Sequence, residues 1–120
     1  MAIIVPLKDE ADGVQALFRE LGAVKIALSD AVDCEFVLID DGSTDQTWLL
    51  LERTARAYPG VRLVRHARNR GVAAAIRTGF FATNAEWVAS IDGDLSYDPM
   101  ELRAMLQLMS DADVVTASPY

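Results

Sequence analysis

The sequence predicts an α/β protein built on a mostly parallel open sheet with helices on both faces. Three observations lead there: short apolar runs of β-branched residues recur along the chain, helix-period patterns separate them, and the two signals alternate four times. That alternation is what a parallel sheet with right-handed crossovers requires. The runs are continuous rather than alternating, which suggests strands buried on both faces.

The elements follow in order. Strands are expected at Ala2 to Leu7, Glu35 to Asp40, Val61 to Val64, Trp87 to Ile91 and, as a fifth, around Asp113 to Ala117. Val14, Leu17, Phe18, Leu21, Val24 and Leu28 fall at helix spacing after the first strand, as do Trp48, Leu51, Ala55 and Tyr58 after the second. Ser43 to Gln46 has the capping-box spacing, and Asp98-Pro99-Met100-Glu101 joins an acidic cap to a proline at the first helical position. A third helix, from Gly71 to about Thr83, carries Ala73, Ala74, Ala75 and Gly79, a small-residue face able to lie close against a sheet.

At 120 residues the chain is read as one unit, 1–120. Its 11 basic and 18 acidic residues give a net charge of −7, which disfavours a nucleic-acid partner. A single cysteine, Cys34, allows neither an internal disulfide nor a cysteine-ligated zinc site, and reads as a small buried residue. The first residues lack the basic leader and cleavage site of a signal peptide, and no segment approaches the ~18 uninterrupted apolar residues of a membrane helix. A cytoplasmic chain is the expectation. The chain stops at Tyr120 just after an apolar run and Ser118-Pro119, with no closing helix.

In an open parallel sheet, ligands bind beyond the carboxyl ends of the strands. Nine of the 18 acids lie there: Asp9, Glu10 and Asp12 after the first strand, Asp40, Asp41 and Asp45 at the second, and Asp92, Asp94 and Asp98 after the fourth. Cap and loop chemistry accounts for Asp45 and Asp98. It accounts less well for the rest. Asp92 and Asp94, separated by Gly93, can approach one hard cation together, with glycine permitting the turn. Such an ion commonly completes its shell with phosphate and water. The Asp40-Asp41-Gly42-Ser43 turn sits where an acid can accept hydrogen bonds from a ribose or a base.

A dinucleotide-binding reading fails on the loop Pro6-Leu7-Lys8-Asp9-Glu10, which has no Gly-x-Gly-x-x-Gly, and no Walker-type loop is present. A phospho-accepting receiver domain would place its acid pair after the first strand and a lysine after the fifth, whereas the only lysines are Lys8 and Lys25. Arg68 and Arg70 have the forked donors to meet a diphosphate, and a surface pair at a helix start is the competing reading. His66, the only histidine, reads as a solvated loop residue beside them. Trp48, Trp87, Met100, Met105 and Met109 read as packing positions.

Four ordered segments carry a family resemblance: Ile3 to Glu10, Val37 to Asp45, Arg68 to Ala75 and Ile91 to Asp94. Together they resemble the nucleotide-sugar half of family 2 inverting glycosyltransferases, whose GT-A fold is Rossmann-like. The continuation Asp94 to Pro99 and the stretch Asp111 to Val115 look most like the dolichol-phosphate-sugar synthase branch. The resemblance implies that Pro6, Leu7 and Glu10 border the base and ribose, and that Asp41 contacts one of them with Asp40 beside it. It implies that Asp92, Gly93 and Asp94 form the Asp-x-Asp motif, positioning ribose and diphosphate, with Asp92 and Asp94 binding magnesium or manganese. Leu7 and Asp9 depart from the family, which often has an aromatic residue and usually asparagine at these positions.

The expected function is metal-assisted, inverting transfer of a sugar from a nucleotide diphosphate donor to an acceptor, a polyprenyl phosphate in that branch. The parent protein would then work at the cytoplasmic membrane surface. The family's acceptor half and usual catalytic base would lie beyond Tyr120, so this chain alone is expected to bind donor without transferring sugar. A non-catalytic nucleotide-binding or self-association module is the alternative. Self-association is expected in either case, because apolar surface and strand-edge groups near Val114, Val115 and Ala117 would lack a neighbour.

Overall fold

Leu7 pairs with Asp40, and Asp40 with Arg65, so three parallel strands end level along one edge of a sheet. These are β1 (Ala2–Leu7), β2 (Glu35–Asp40) and β3 (Val61–Arg65). The fourth, β4 (Val88–Ser90), pairs parallel with β1, giving the order β3-β2-β1-β4. The computed structural model describes residues 1–117. The Ser118-Pro119 ending noted above therefore lies outside the described residues.

Alternation along each strand separates two faces. Ile3, Val5, Leu7, Phe36 and Leu38 point to one face, where α1 (Val14–Ala27), α2 (Thr47–Ala55) and α4 (Leu102–Leu108) contribute Leu17, Phe18, Leu51 and Leu102 to a common core. The positions picked out by periodicity, from Val14 to Leu28 just past the end of α1, are all buried. Ile4, Val37 and Ile39 point to the other face, which α3 (Val72–Phe81) covers through Ala75. The small-residue expectation for α3 holds at Ala75 and Gly79, where a Cβ on Gly79 would run into the Ile4 side chain. Helices therefore flank the sheet on both faces.

Several expectations need correction. Only β1 and β2 are buried along nearly their whole length, with Pro6 and Glu35 half-buried; β3 and β4, at the edges, carry half-buried and exposed positions because each has a neighbour on one side alone among the described residues. No fifth strand forms among the described residues. Val114 is 77% exposed and Val115 half-buried, too little apolar cover to fix a strand beside a three-residue β4. The Ser43 capping box does not form, because the Ser43 hydroxyl accepts instead from the Asp9 N–H at 2.9 Å. Asp45 serves α2, taking the Thr47 N–H at 2.9 Å, and Asp98 takes the Met100 N–H at 2.9 Å ahead of Pro99. Tyr58 falls beyond α2 and packs its ring against Phe18, centroids 5.1 Å apart. Trp48 is half-buried with the Arg65 guanidinium over its ring, and Met100 is exposed while Met105 packs on the core.

Candidate functional site

The loops after β1, β2, β3 and β4 meet in one cleft of about 240 Å³ at the carboxyl edge of the sheet. Its lining includes Pro6, Leu7, Glu10, Asp41, Asp92, Gly93 and Asp94, seven residues chosen from the sequence. Lys8, Asn69, Gly71 and Val72 complete it. Those four lie inside motifs already singled out, but nothing in their residue types separated them from their neighbours. Asp40, Arg68 and Arg70 do not line the cleft; the two arginines are exposed and flank Asn69 and Gly71 of the same loop.

The β1 loop is built by a left-handed residue. Asp9 has φ 52°, a conformation that aspartate and asparagine tolerate better than most side chains. Its carboxylate ties this loop to the next, accepting from the Thr44 N–H at 2.8 Å and the Asp45 N–H at 3.4 Å. The Thr44 N–H holds the Asp9 carboxyl below its usual value, against a smaller upward push from burial. Lys8 donates to the Gly42 carbonyl at 3.2 Å, and Glu10 donates its N–H to Thr47 Oγ1 at 2.9 Å. Two turns distant in sequence are thus bolted together, and Glu10 is fixed at the cleft wall.

The paired acids at the end of β2, Asp40 within the strand and Asp41 just past it, face different partners. Asp40 is fully buried; Oδ1 accepts from the Ser43 N–H at 3.3 Å, and Oδ2 lies 3.3 Å from Arg65 Nε without a hydrogen bond. Asp41 is 3% exposed, and its carboxylate accepts from His66 Nδ1 at 2.7 Å, the Arg70 N–H at 2.9 Å and the Gly71 N–H at 2.8 Å. Burial pushes its carboxyl upward, but the His66 bond and then the two backbone donors outweigh this and hold it below the usual range. The reading of His66 as a solvated loop residue is therefore wrong. The ring is buried because both of its nitrogens find partners inside, the second being Thr78 Oγ1 at 2.8 Å.

The Asp-Gly-Asp segment fills a gap in the sheet. β4 stops pairing at Ser90, opposite Ile4, while β1 runs on to Leu7. Residues 92–94 lie beside that extension, and a Cβ on Gly93 would overlap Leu7 Cδ2 and approach the Pro6 carbonyl oxygen to 3.0 Å. Glycine is needed here for close approach rather than for a turn. Asp94 Oδ1 accepts from Ser96 Oγ at 2.7 Å and the Ser96 N–H at 2.9 Å, which lower its pKa. Leu95 follows at φ 58°, a strained setting for a branched residue that packing on the first core offsets. Burial raises the Glu10 pKa, and the charges of Asp94, Asp45 and Asp9 push it the same way. Among the described residues no three His, Cys, Asp or Glu side chains form a metal cage. Two exposed carboxylates on one cleft suit an ion that keeps phosphate and water ligands.

The model of glycosyl transferase family 2 matches residues 2–120. The chain belongs to glycosyl transferase family 2. Among relatives of this family, a dodecaprenyl-phosphate galacturonate synthase from Rhizobium johnstonii is 32% identical over 111 residues, covering 88% of this chain and 31% of the relative. A dolichol-phosphate mannosyltransferase from Pyrococcus furiosus is 24% identical, covering 100% and 33%. A solved mannosyltransferase from Pyrobaculum calidifontis, in complex with GDP-Man and Mn2+, superposes with a TM-score of 0.76 at 25% identity, covering 95% of this chain and 33% of that one. The family 2 chain described here has the GT-A architecture and spans about a third of the length of the curated relatives it matches. No helix among the described residues is long and apolar enough to cross a membrane.

Proposed function

We propose that the cleft binds a nucleoside diphosphate sugar together with a divalent cation, and that the protein transfers the sugar with inversion to a polyprenyl phosphate at a membrane surface. One observation carries this reading: Glu10, Asp41, Asp92 and Asp94 converge on a single cleft from the ends of three strands. The relatives named for dodecaprenyl-phosphate and dolichol-phosphate chemistry supply the acceptor class. On this reading residues 1–120 are the nucleotide-sugar-binding portion, and the acceptor site and catalytic base belong to other parts of the protein.

Asp92 and Asp94 would hold a magnesium or manganese ion, whose Lewis acidity offsets charge on the departing diphosphate. The chain's own residues do the rest. Pro6 and Val72 offer apolar surface to the base and ribose, while Leu7, buried at 2% exposure, backs the cleft wall from the core rather than presenting a face for stacking. Asp41 accepts a hydrogen bond from the nucleoside, and Glu10 from a ribose hydroxyl. Arg68 and Arg70, exposed beside the cleft, are placed to draw a diphosphate towards it. Nuclear magnetic resonance titration with GDP or UDP and Mg2+ tests the location. Amide shifts are expected at Leu7, Glu10, Asp41 and Gly93; shifts confined to residues elsewhere would count against it.

A second reading is favoured by the side of β4 that no strand pairs among the described residues. An apolar groove of about 700 Å³ runs along it, lined by Trp87, Val88, Ile91, Leu102, Met105 and Val114 among others. Unpaired strand edges recruit a further strand. A second copy of this chain would occupy the groove, and sedimentation across a concentration series would show mass rising with concentration. A monomer throughout would remove this reading.

A further inference from the structure

We propose that His66 is a positioning residue for the nucleotide cleft: it aims Asp41 and holds the Asn69–Val72 wall without touching the ligand. The proposal rests on the nucleotide-binding reading of the cleft and goes beyond it, since His66 does not line the cleft.

His66 follows β3 directly, and its N–H extends the β2–β3 ladder by donating to the Asp40 carbonyl at 2.9 Å. Backbone position is thereby fixed. The ring is 6% exposed and bridges two elements, with Nδ1 at 2.7 Å from Asp41 Oδ1 and Nε2 at 2.8 Å from Thr78 Oγ1. Thr78 lies in the second half of α3, while the Arg70 and Gly71 N–H groups that Asp41 also receives immediately precede that helix. A closed circuit results, from the body of α3 through the ring to Asp41 and back to the start of α3. It spans about two helical turns.

An ionised carboxylate offers about four lone-pair sites. Oδ1 spends its two on His66 Nδ1 and the Arg70 N–H, and Oδ2 spends one on the Gly71 N–H. One site on Oδ2 stays open on a residue that lines the cleft. Without the ring, Oδ1 would lose a donor at a buried position, and the carboxylate would turn to recover one. The open site would turn with it. Because an ionised carboxylate only accepts, the contact with Asp41 needs a proton on Nδ1, while Nε2 meets the Thr78 hydroxyl.

Two substitutions separate positioning from general structural support. His66→Asn keeps a donor near the Nδ1 position and abandons Thr78, whereas His66→Gln reaches the Nε2 position and abandons Asp41. Hydrogen exchange at the Arg70 and Gly71 amides is measured on the 1–120 chain without nucleotide, and UDP and GDP affinities are measured with Mg2+. The proposal expects His66→Asn to stay within about threefold of wild type in both readouts. It expects His66→Gln to exchange faster at those two amides than at β1 amides, and to bind nucleotide about tenfold more weakly. Equal behaviour of the two variants, or loss in His66→Asn alone, would overturn it. If the wild-type chain binds neither nucleotide, the reading of the cleft fails, and the exchange comparison alone decides the role of His66.

Discussion

Gly93 packs against Leu7 with no room for a methyl group between them. This contact seats the Asp92 and Asp94 pair beside the end of β1, past the point where β4 has stopped pairing. It also couples a motif residue to the position where this chain departs from the family's aromatic preference.

Gly93→Ala should therefore destabilise the chain by about 1–3 kcal/mol, the usual range for inserting a methyl into a packed site. Leu7→Ala in the same chain should recover part of that loss, because Leu7 Cδ2 is the nearest obstacle, while the Pro6 carbonyl at 3.0 Å remains. Urea denaturation of the two single variants and the double variant gives the coupling energy directly. Strictly additive losses would show that the contact is not what requires glycine.

Much of this arrangement was legible in the sequence, for reasons tied to particular residues. The β1 and β2 runs were readable because both faces of each are covered, so the positions from Ala2 to Leu7 and from Phe36 to Ile39 are all apolar. The strand-end acids fell on one edge because parallel strands all point the same way. His66 was misread because its partners Asp41 and Thr78 lie 25 and 12 residues away, and nothing local marks a histidine whose two nitrogens are both satisfied inside. The Asp113 to Ala117 run carries strand-like residues, but strand formation depends on a neighbouring edge rather than on propensity. Asp9 looked like one more acid of the edge, and its left-handed backbone became visible only in three dimensions.

Stability should fall on acidification through the carboxyls held low in the fold. Asp9, Asp41, Asp45 and Asp94 all lie below an ordinary value of 3.8, so their contribution is complete above that pH and is lost as pH drops through the folded values. The unfolded chain binds more protons in this window, and stability rises with pH there. Glu10, raised from 4.5, works in the opposite sense: its contribution is present below that value and fades as pH rises. Urea midpoints between about pH 5 and about pH 2.5 should drop for wild type and drop less for Asp41→Asn. An equal drop in both would remove Asp41 from the account.

Asp45 and Asp94 should separate stability from binding. Asp45 takes the Thr47 N–H at 2.9 Å and the Ala11 N–H at 3.3 Å, so it secures the start of α2 and the turn after β1. Asp45→Ala is expected to cost ~0.5–2 kcal/mol of stability, the range for losing a helix cap, and to leave the metal requirement for nucleotide binding in place. Thermal unfolding together with a binding titration checks both halves. Loss of the metal requirement in this variant would move Asp45 from the scaffold into the site.

The most direct test is calorimetric titration of the chain with UDP and with GDP, each with and without Mn2+, in wild type and Asp94→Ala. The account predicts that wild type binds a nucleoside diphosphate only when the cation is present, because the ion screens Glu10, Asp92 and Asp94 from the incoming phosphates. Asp94→Ala should lose that metal dependence. The same dependence in both proteins, or equal binding by wild type without the cation, would contradict it.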